Sequence, residues 1–215
     1  MSVKQTITSD GVPDVCNSTR RGTCESLKFL AEGNVRFVSE KPERPHCTSE
    51  RRAEVSGGQS PFAVILSCSD SRVPPEIVFD RGIGDLFVIR VAGHVVDSAV
   101  IGSLTLAVSH FGCPLVVVLG HENCGAIRAA LLTDEALIRE PVPVIKMVEM
   151  IRENITDVSA ARARGDAGVA EAVREHTAAS VQRIVEEPFI ADRIAEGRLR
   201  VIPAYYSLAT GMVSW

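Results

Sequence analysis

The sequence predicts an α/β protein: a mainly parallel central sheet flanked by helices, preceded by an N-terminal helical arm. Three observations predict it. Apolar, strand-forming runs recur at residues 62–66, 86–91, 115–119 and 199–202, as expected of strands buried on both faces of a parallel sheet. Segments with apolar residues at helical spacing lie between them. Strands that alternate with helices build right-handed βαβ units, which lay successive strands side by side in one direction.

The elements follow in order. Residues 1–23 carry Thr, Ser, Asp and Gly without sustained periodicity and are expected to form a flexible arm. Leu27, Leu30, Ala31, Val35 and Phe37 give residues 24–38 an approximate helical stripe. Pro42 and Pro45 make residues 41–49 a connection, and residues 49–54 form a short helix ahead of Gly57-Gly58. Between the second and third strands, Val100, Ile101, Leu104, Ala107, Val108 and Phe111 predict a helix over 98–111. Further helices are expected at 126–132, 144–163, 167–185 and 190–196, and residues 205–215 are expected to end in an extended pair around Thr210-Gly211. No repeat, low-complexity tract or linker interrupts the pattern, so residues 24–215 read as a single α/β domain.

Composition narrows the function. With 215 residues and 46% hydrophobic content, the chain has ample material for a buried core. A formal charge of -4 argues against a general nucleic-acid footprint. No stretch approaches the ~18–20 consecutive apolar residues of a membrane span, and the first residues lack an apolar leader core. A cytoplasmic protein with neither nucleic-acid nor membrane partners is expected. Of the six cysteines, Cys16, Cys24, Cys47 and Cys113 read as reduced thiols, Cys113 as a small core residue; a Cys16–Cys24 disulfide is the alternative, with nothing in the sequence to support it.

The chemistry sits in two motifs, Cys68-Ser69-Asp70-Ser71-Arg72 and His121-Glu122-Asn123-Cys124-Gly125. Two thiolates and an imidazole favour zinc over magnesium, calcium or manganese. Each motif follows a predicted strand, and parallel strands open onto one edge of the sheet, where α/β folds place their ligand sites. Cys68, His121 and Cys124 supply the three protein ligands of a catalytic zinc. Asp70 either closes the site as a fourth ligand or turns away. Arg72 decides between these, since a guanidinium can hold a carboxylate ionised through two parallel hydrogen bonds.

At these residues the chain resembles the β-class carbonic anhydrases. The resemblance runs from Gly33-Asn34-Val35-Arg36-Phe37 to Tyr206…Thr210-Gly211, with its strongest blocks at Gln59-Ser60-Pro61, residues 68–76, residues 84–90 and residues 120–126. It implies a β-carbonic anhydrase-like fold and reversible hydration of carbon dioxide to bicarbonate and a proton. It also implies one Zn2+ per chain on Cys68, His121 and Cys124, with Asp70 and Arg72 as the adjacent catalytic dyad. Gln59 and Phe87 match positions lining the substrate pocket, and Gly125 a backbone position beside it. The family assembles as homodimers or homotetramers with pockets near subunit interfaces. Two thiolates give a metal more negative charge than imidazoles do, so this zinc is expected to acidify its water less unless surrounding hydrogen bonds compensate.

Departures are few. His94 replaces a common asparagine and is expected behind the ligands or at an interface, with proton shuttling as the lesser reading. Pro203 and Ser207 replace glycine and aspartate. Arg90 and Tyr206 match two positions of a regulatory bicarbonate site found in some relatives, but Ile65 stands where its tryptophan would be. Two other functions share these motifs: hydrolysis of carbon disulfide or carbonyl sulfide on the same scaffold, and an inert zinc-binding structural protein in which Asp70 stays coordinated.

Overall fold

A computed structural model describes residues 21–215. Its sheet consists of β1 (Ala63–Ser67), β2 (Leu86–Arg90), β3 (Leu115–His121), β4 (Arg200–Tyr206) and β5 (Val213–Ser214). The spatial order is β2-β1-β3-β4-β5, parallel throughout except for the antiparallel β4–β5 pair. After β1 the chain moves outward to β2, then returns past β1 to form β3. The direction of winding therefore reverses between β1 and β3, whose register pairs Val64 with Val116 and Ser67 with Leu119.

Helices α1 (Arg21–Val38), α2 (Ser49–Glu54) and α3 (Pro75–Val78) precede β2. Helix α4 (Ser98–Phe111) leads into β3. Its ends are chemically marked: the Asp97 carboxylate accepts from the Val100 N–H at 2.8 Å, and Gly112 terminates it in the left-handed region. Six helices separate β3 from β4: α5 (Gly125–Ala130), α6 (Asp134–Leu137), α7 (Val142–Arg152), α8 (Val158–Ala163), α9 (Asp166–Val185) and α10 (Pro188–Ala195).

Alternation along the buried strands sorts the core into two layers. Ile65, Val117, Leu119 and Ile202 pack with Leu27, Leu30 and Phe79 on one face. Val64, Leu66, Val116 and Val118 pack with Val100, Leu104, Ala107, Ile184 and Ile190 on the other. A third apolar cluster, which includes Val148, Ile151, Val169 and Val173, closes over the carboxyl end of β1 and contains Cys68 and Cys124.

Three expectations need correction. The single helix over 144–163 is two, because Asp157 accepts from the Ala160 N–H at 2.9 Å and starts α8 afresh; a short carboxylate side chain competes with the helix for backbone donors. Strand β4 continues past residue 202 through Pro203, which is tolerated because β5 pairs only with Tyr205 and Tyr206 and leaves that flank open. Cys24 is disulfide-bonded, whereas Cys47 and Cys113 are free. The expected arm, residues 1–23, lies outside the described residues, Cys16 included, except that α1 already begins at Arg21. No helix among the described residues is long and apolar enough to cross a membrane.

Candidate metal centre

Cys68 follows β1 and His121 ends β3, so both stand at the point where the winding reverses. Cys124 is brought back to them by a tight turn in which Asn123 adopts φ 53. Asparagine tolerates that left-handed conformation because its short side chain can bond locally. Here its Oδ1 accepts from Arg128 Nη2 at 2.6 Å. The turn leads directly into α5.

The ligand atoms of Cys68, His121 and Cys124 lie within 4.8 Å of one another, and all three residues are buried. The two sulfurs are 3.9 Å apart. His121 Nδ1 donates to the Glu122 carbonyl at 2.8 Å, which leaves Nε2 as the nitrogen with the free lone pair. That Nε2 is buried and has no hydrogen-bond partner. A buried polar atom without a partner is costly unless something else occupies it. Its position beside two sulfurs, together with the soft donor set, fits a divalent cation such as zinc.

The thiols are not equivalent. The Cys68 thiol is held down to about 4, mainly because its thiolate accepts from the Cys124 thiol, with the backbone N–H groups of Gly93 and Asp70 assisting against burial. Cys124 is pushed up by its hydrogen bond to Cys68 and by burial. That hydrogen bond holds a proton between the two sulfurs. A bound cation displaces that proton.

Asp70 is turned away from this trio. Its Oδ1 accepts from Arg72 N–H and Nε–H, both at 2.9 Å, and its Oδ2 accepts from Arg72 Nη2 at 2.7 Å. Those bonds hold its carboxyl down to about 2, against a smaller opposing effect of burial. A carboxylate oxygen has two lone pairs. Oδ1 is thus filled and Oδ2 keeps one acceptor position. Arg90 supports the same loop, donating to the carbonyls of Cys68 at 3.1 Å and Asp70 at 2.6 Å. Ile65 lies wholly within the apolar core.

Gln59, Phe87 and Gly125 are not gathered together in one chain. Gly125 begins α5 beside Cys124. Gln59 precedes β1, exposed in a groove with Val55, Gly57, Ile83, Gly84 and Phe111. Phe87 stands opposite Val64, and its ring lies tilted against that of Phe111 with centroids 5.9 Å apart. These two belong to the amino-terminal side of the sheet. Val64, opposite Phe87, lies four residues before Cys68, about 13 Å along an extended strand at ~3.3 Å per residue.

His94 is fully buried, with its ring 4.7 Å from that of His176. Burial, then the neighbouring His176, pushes it well below the ordinary histidine range. Sequence reading passed over His176, Asn154 and Gly93. A histidine among Ala172, Val173 and Ser180 on a buried helix face carries no distinguishing spacing, and Gly93 contributes through its backbone alone.

Soft donors that could hold a metal ion, beside an ionised carboxylate at the sheet's switch point, are an arrangement that suits the class of α/β metalloenzymes. Comparison with known proteins narrows it. The family described as Carbonic anhydrase matches residues 63–213. "Carbonic anhydrase 2" from Mycobacterium tuberculosis is 41% identical over 185 residues, covering 86% of this chain and 88% of that protein. The carbonic anhydrase of Mycolicibacterium smegmatis is 40% identical, covering 86% and 89%. The solved Coccomyxa β-carbonic anhydrase, in complex with acetazolamide, superposes with a TM-score of 0.69 at 28% identity, covering 87% of this chain and 85% of that one. The chain belongs to the β-class carbonic anhydrases, and it is an enzyme of that kind.

Proposed function

We propose that the chain hydrates carbon dioxide reversibly to bicarbonate and a proton, using one Zn2+ held by Cys68 Sγ, His121 Nε2 and Cys124 Sγ. The observation that carries this reading is the buried, unpartnered His121 Nε2 within 4.8 Å of two sulfurs, with the Asp70 carboxylate engaged by Arg72. Zinc bound there would supply Lewis acidity, turning water into an effective nucleophile near neutral pH. The chain's residues do the rest. Arg72 keeps Asp70 ionised and fixed, and Asp70 Oδ2 offers its remaining lone pair to the proton of the attacking water. The apolar cluster around Cys68 suits a substrate without charge. An inert structural zinc would need Asp70 as a standing fourth ligand, which its three bonds to Arg72 oppose.

Gln59 and Phe87 are proposed to line the substrate pocket across an interface in a homodimer or homotetramer. Their position on the far side of the sheet from Cys68 within one chain supports that reading. The test pairs elemental analysis with stopped-flow hydration of carbon dioxide, and with carbonyl sulfide and carbon disulfide assayed in parallel. The wild type should hold one zinc per chain and prefer carbon dioxide, and Cys68→Ser and His121→Ala should lose metal and activity together. Full activity in metal-free Cys68→Ser rejects the assignment, and turnover of the sulfur compounds alone reassigns the substrate.

A further inference from the structure

Behind the ligand trio lies a chain of hydrogen bonds that the reaction chemistry does not require. Asn154 Nδ2 lies 3.0 Å from His176 Nδ1, and His176 Nε2 lies 2.7 Å from the Gly93 carbonyl. An amide nitrogen can only donate and a carbonyl can only accept. Asn154 therefore fixes the tautomer: Nδ1 accepts and Nε2 carries the proton given to Gly93. Burial keeps this imidazole neutral, lowering it to about 4. Gly93 in turn donates its N–H to Cys68 Sγ at 3.3 Å.

Gly93 is gripped on all sides. Its backbone is left-handed, φ 63 and ψ 17. A Cβ there would come within 2.8 Å of Ile151 Cδ1 and 3.0 Å of Ala126 Cβ. The N–H direction is thus set by His176 at the carbonyl and by packing at Cα. A hydrogen bond to a thiolate lowers the energy of the sulfur lone pairs and reduces the charge sulfur passes to a metal. That is the compensation a site with two thiolates calls for.

We propose that His176, oriented by Asn154, is a positioning residue that tunes the Cys68–metal bond by holding the Gly93 N–H on Cys68 Sγ. The proposal rests on the metal-binding reading of Cys68, His121 and Cys124. It also gives the His94–His176 pair a division of labour. His94 Nε2 bonds Thr177 Oγ1 at 3.2 Å and packs against the His176 ring, while His176 alone reaches Gly93.

The test loads the full chain with cobalt(II) and reads the thiolate-to-cobalt charge-transfer band, alongside metal affinity from competition with a chelator. In His176→Ala the band is expected to move to lower energy, and, because the same hydrogen bond holds Cys68 as a thiolate in the ligating orientation, the dissociation constant to rise about 10–100-fold. His176→Gln, which can still donate to Gly93 from its amide, should return both toward wild type. Should His176→Ala fail to fold by circular dichroism, Asn154→Ala should show a smaller shift in the same direction. Identical bands and affinities in wild type and a folded variant overturn the proposal, as does a His176→Ala shift that His176→Gln leaves uncorrected. A folded wild type that takes up no cobalt overturns the metal reading first and the proposal with it.

Discussion

Gly93 and Gly112 provide a matched pair for separating backbone strain from packing. Their φ values are 63 and 64, so replacing either by alanine imposes the same left-handed penalty, about 1–2 kcal/mol. Their surroundings differ. An alanine Cβ at 93 meets Ile151 Cδ1 at 2.8 Å and Ala126 Cβ at 3.0 Å, while at 112 none of the described residues comes within 4 Å. Ile151 is fully buried and Ala126 is fixed to α5, so neither withdraws freely. Overpacking of that kind adds about 1–3 kcal/mol. Gly112→Ala should therefore cost about 1–2 kcal/mol and Gly93→Ala about 2–5, a large share of the ~5–15 kcal/mol that holds a typical domain. Urea unfolding monitored by circular dichroism gives both numbers from the midpoints at constant slope. Gly93→Ala should also weaken metal binding, because the displaced N–H leaves Cys68 Sγ, whereas Gly112→Ala should leave it unchanged. Equal destabilisation by the two substitutions would refute the packing argument.

Other consequences follow from the same geometry. Asp70→Asn keeps the turn but removes the charge that Arg72 holds in place, so carbon dioxide hydration should fall about 100-fold or more while elemental analysis still finds the metal. On acidification, His176 must take up a proton in a site that holds it near 4, against 6.5 when unexposed to such burial. The unfolded chain binds that proton first, so the stability is complete above about pH 6.5 and is lost as pH falls toward 4, by about 3 kcal/mol. His94 is displaced in the same direction, and His176→Gln should remove only the His176 share in a urea titration across that window. Gly168→Ala places a Cβ against the Ala161 carbonyl oxygen, far inside van der Waals contact, and should cost about 3 kcal/mol or more, by forcing α8 from α9. Gly102→Ala, on the exposed side of α4 with none of the described residues within 4 Å, should raise the unfolding midpoint by about 0.5–1 kcal/mol equivalent.

Much of this architecture was legible in residue order because burial leaves a local record. The helix at 98–111 carries a helical stripe, and the strand cores at 63–66, 86–89 and 115–119 are continuous apolar runs. The break between α7 and α8 was not legible, since Ile151 and Ala161 continue an apolar stripe across it and only the Asp157 cap marks the restart. Helices α3 and α6, four residues each, are too short to display a period. Arg90 was readable as a charged residue on a strand, but its service to the Cys68 and Asp70 carbonyls arises only when β2 lies beside β1.

Residue types alone determined the donor set: two sulfurs and an imidazole at strand ends, an acid two residues from an arginine, and a family likeness carried by both motifs. Three-dimensional packing decided which donors meet, because convergence depends on strand order, and β1 is adjacent to β3 only after the chain has doubled back from β2. It also decided that Asp70 faces Arg72, that His121 presents Nε2, and that a backbone N–H of Gly93 reaches Cys68 Sγ. Those are matters of orientation at distances near 3 Å, which a one-dimensional order of residues does not encode until every neighbouring element is in place.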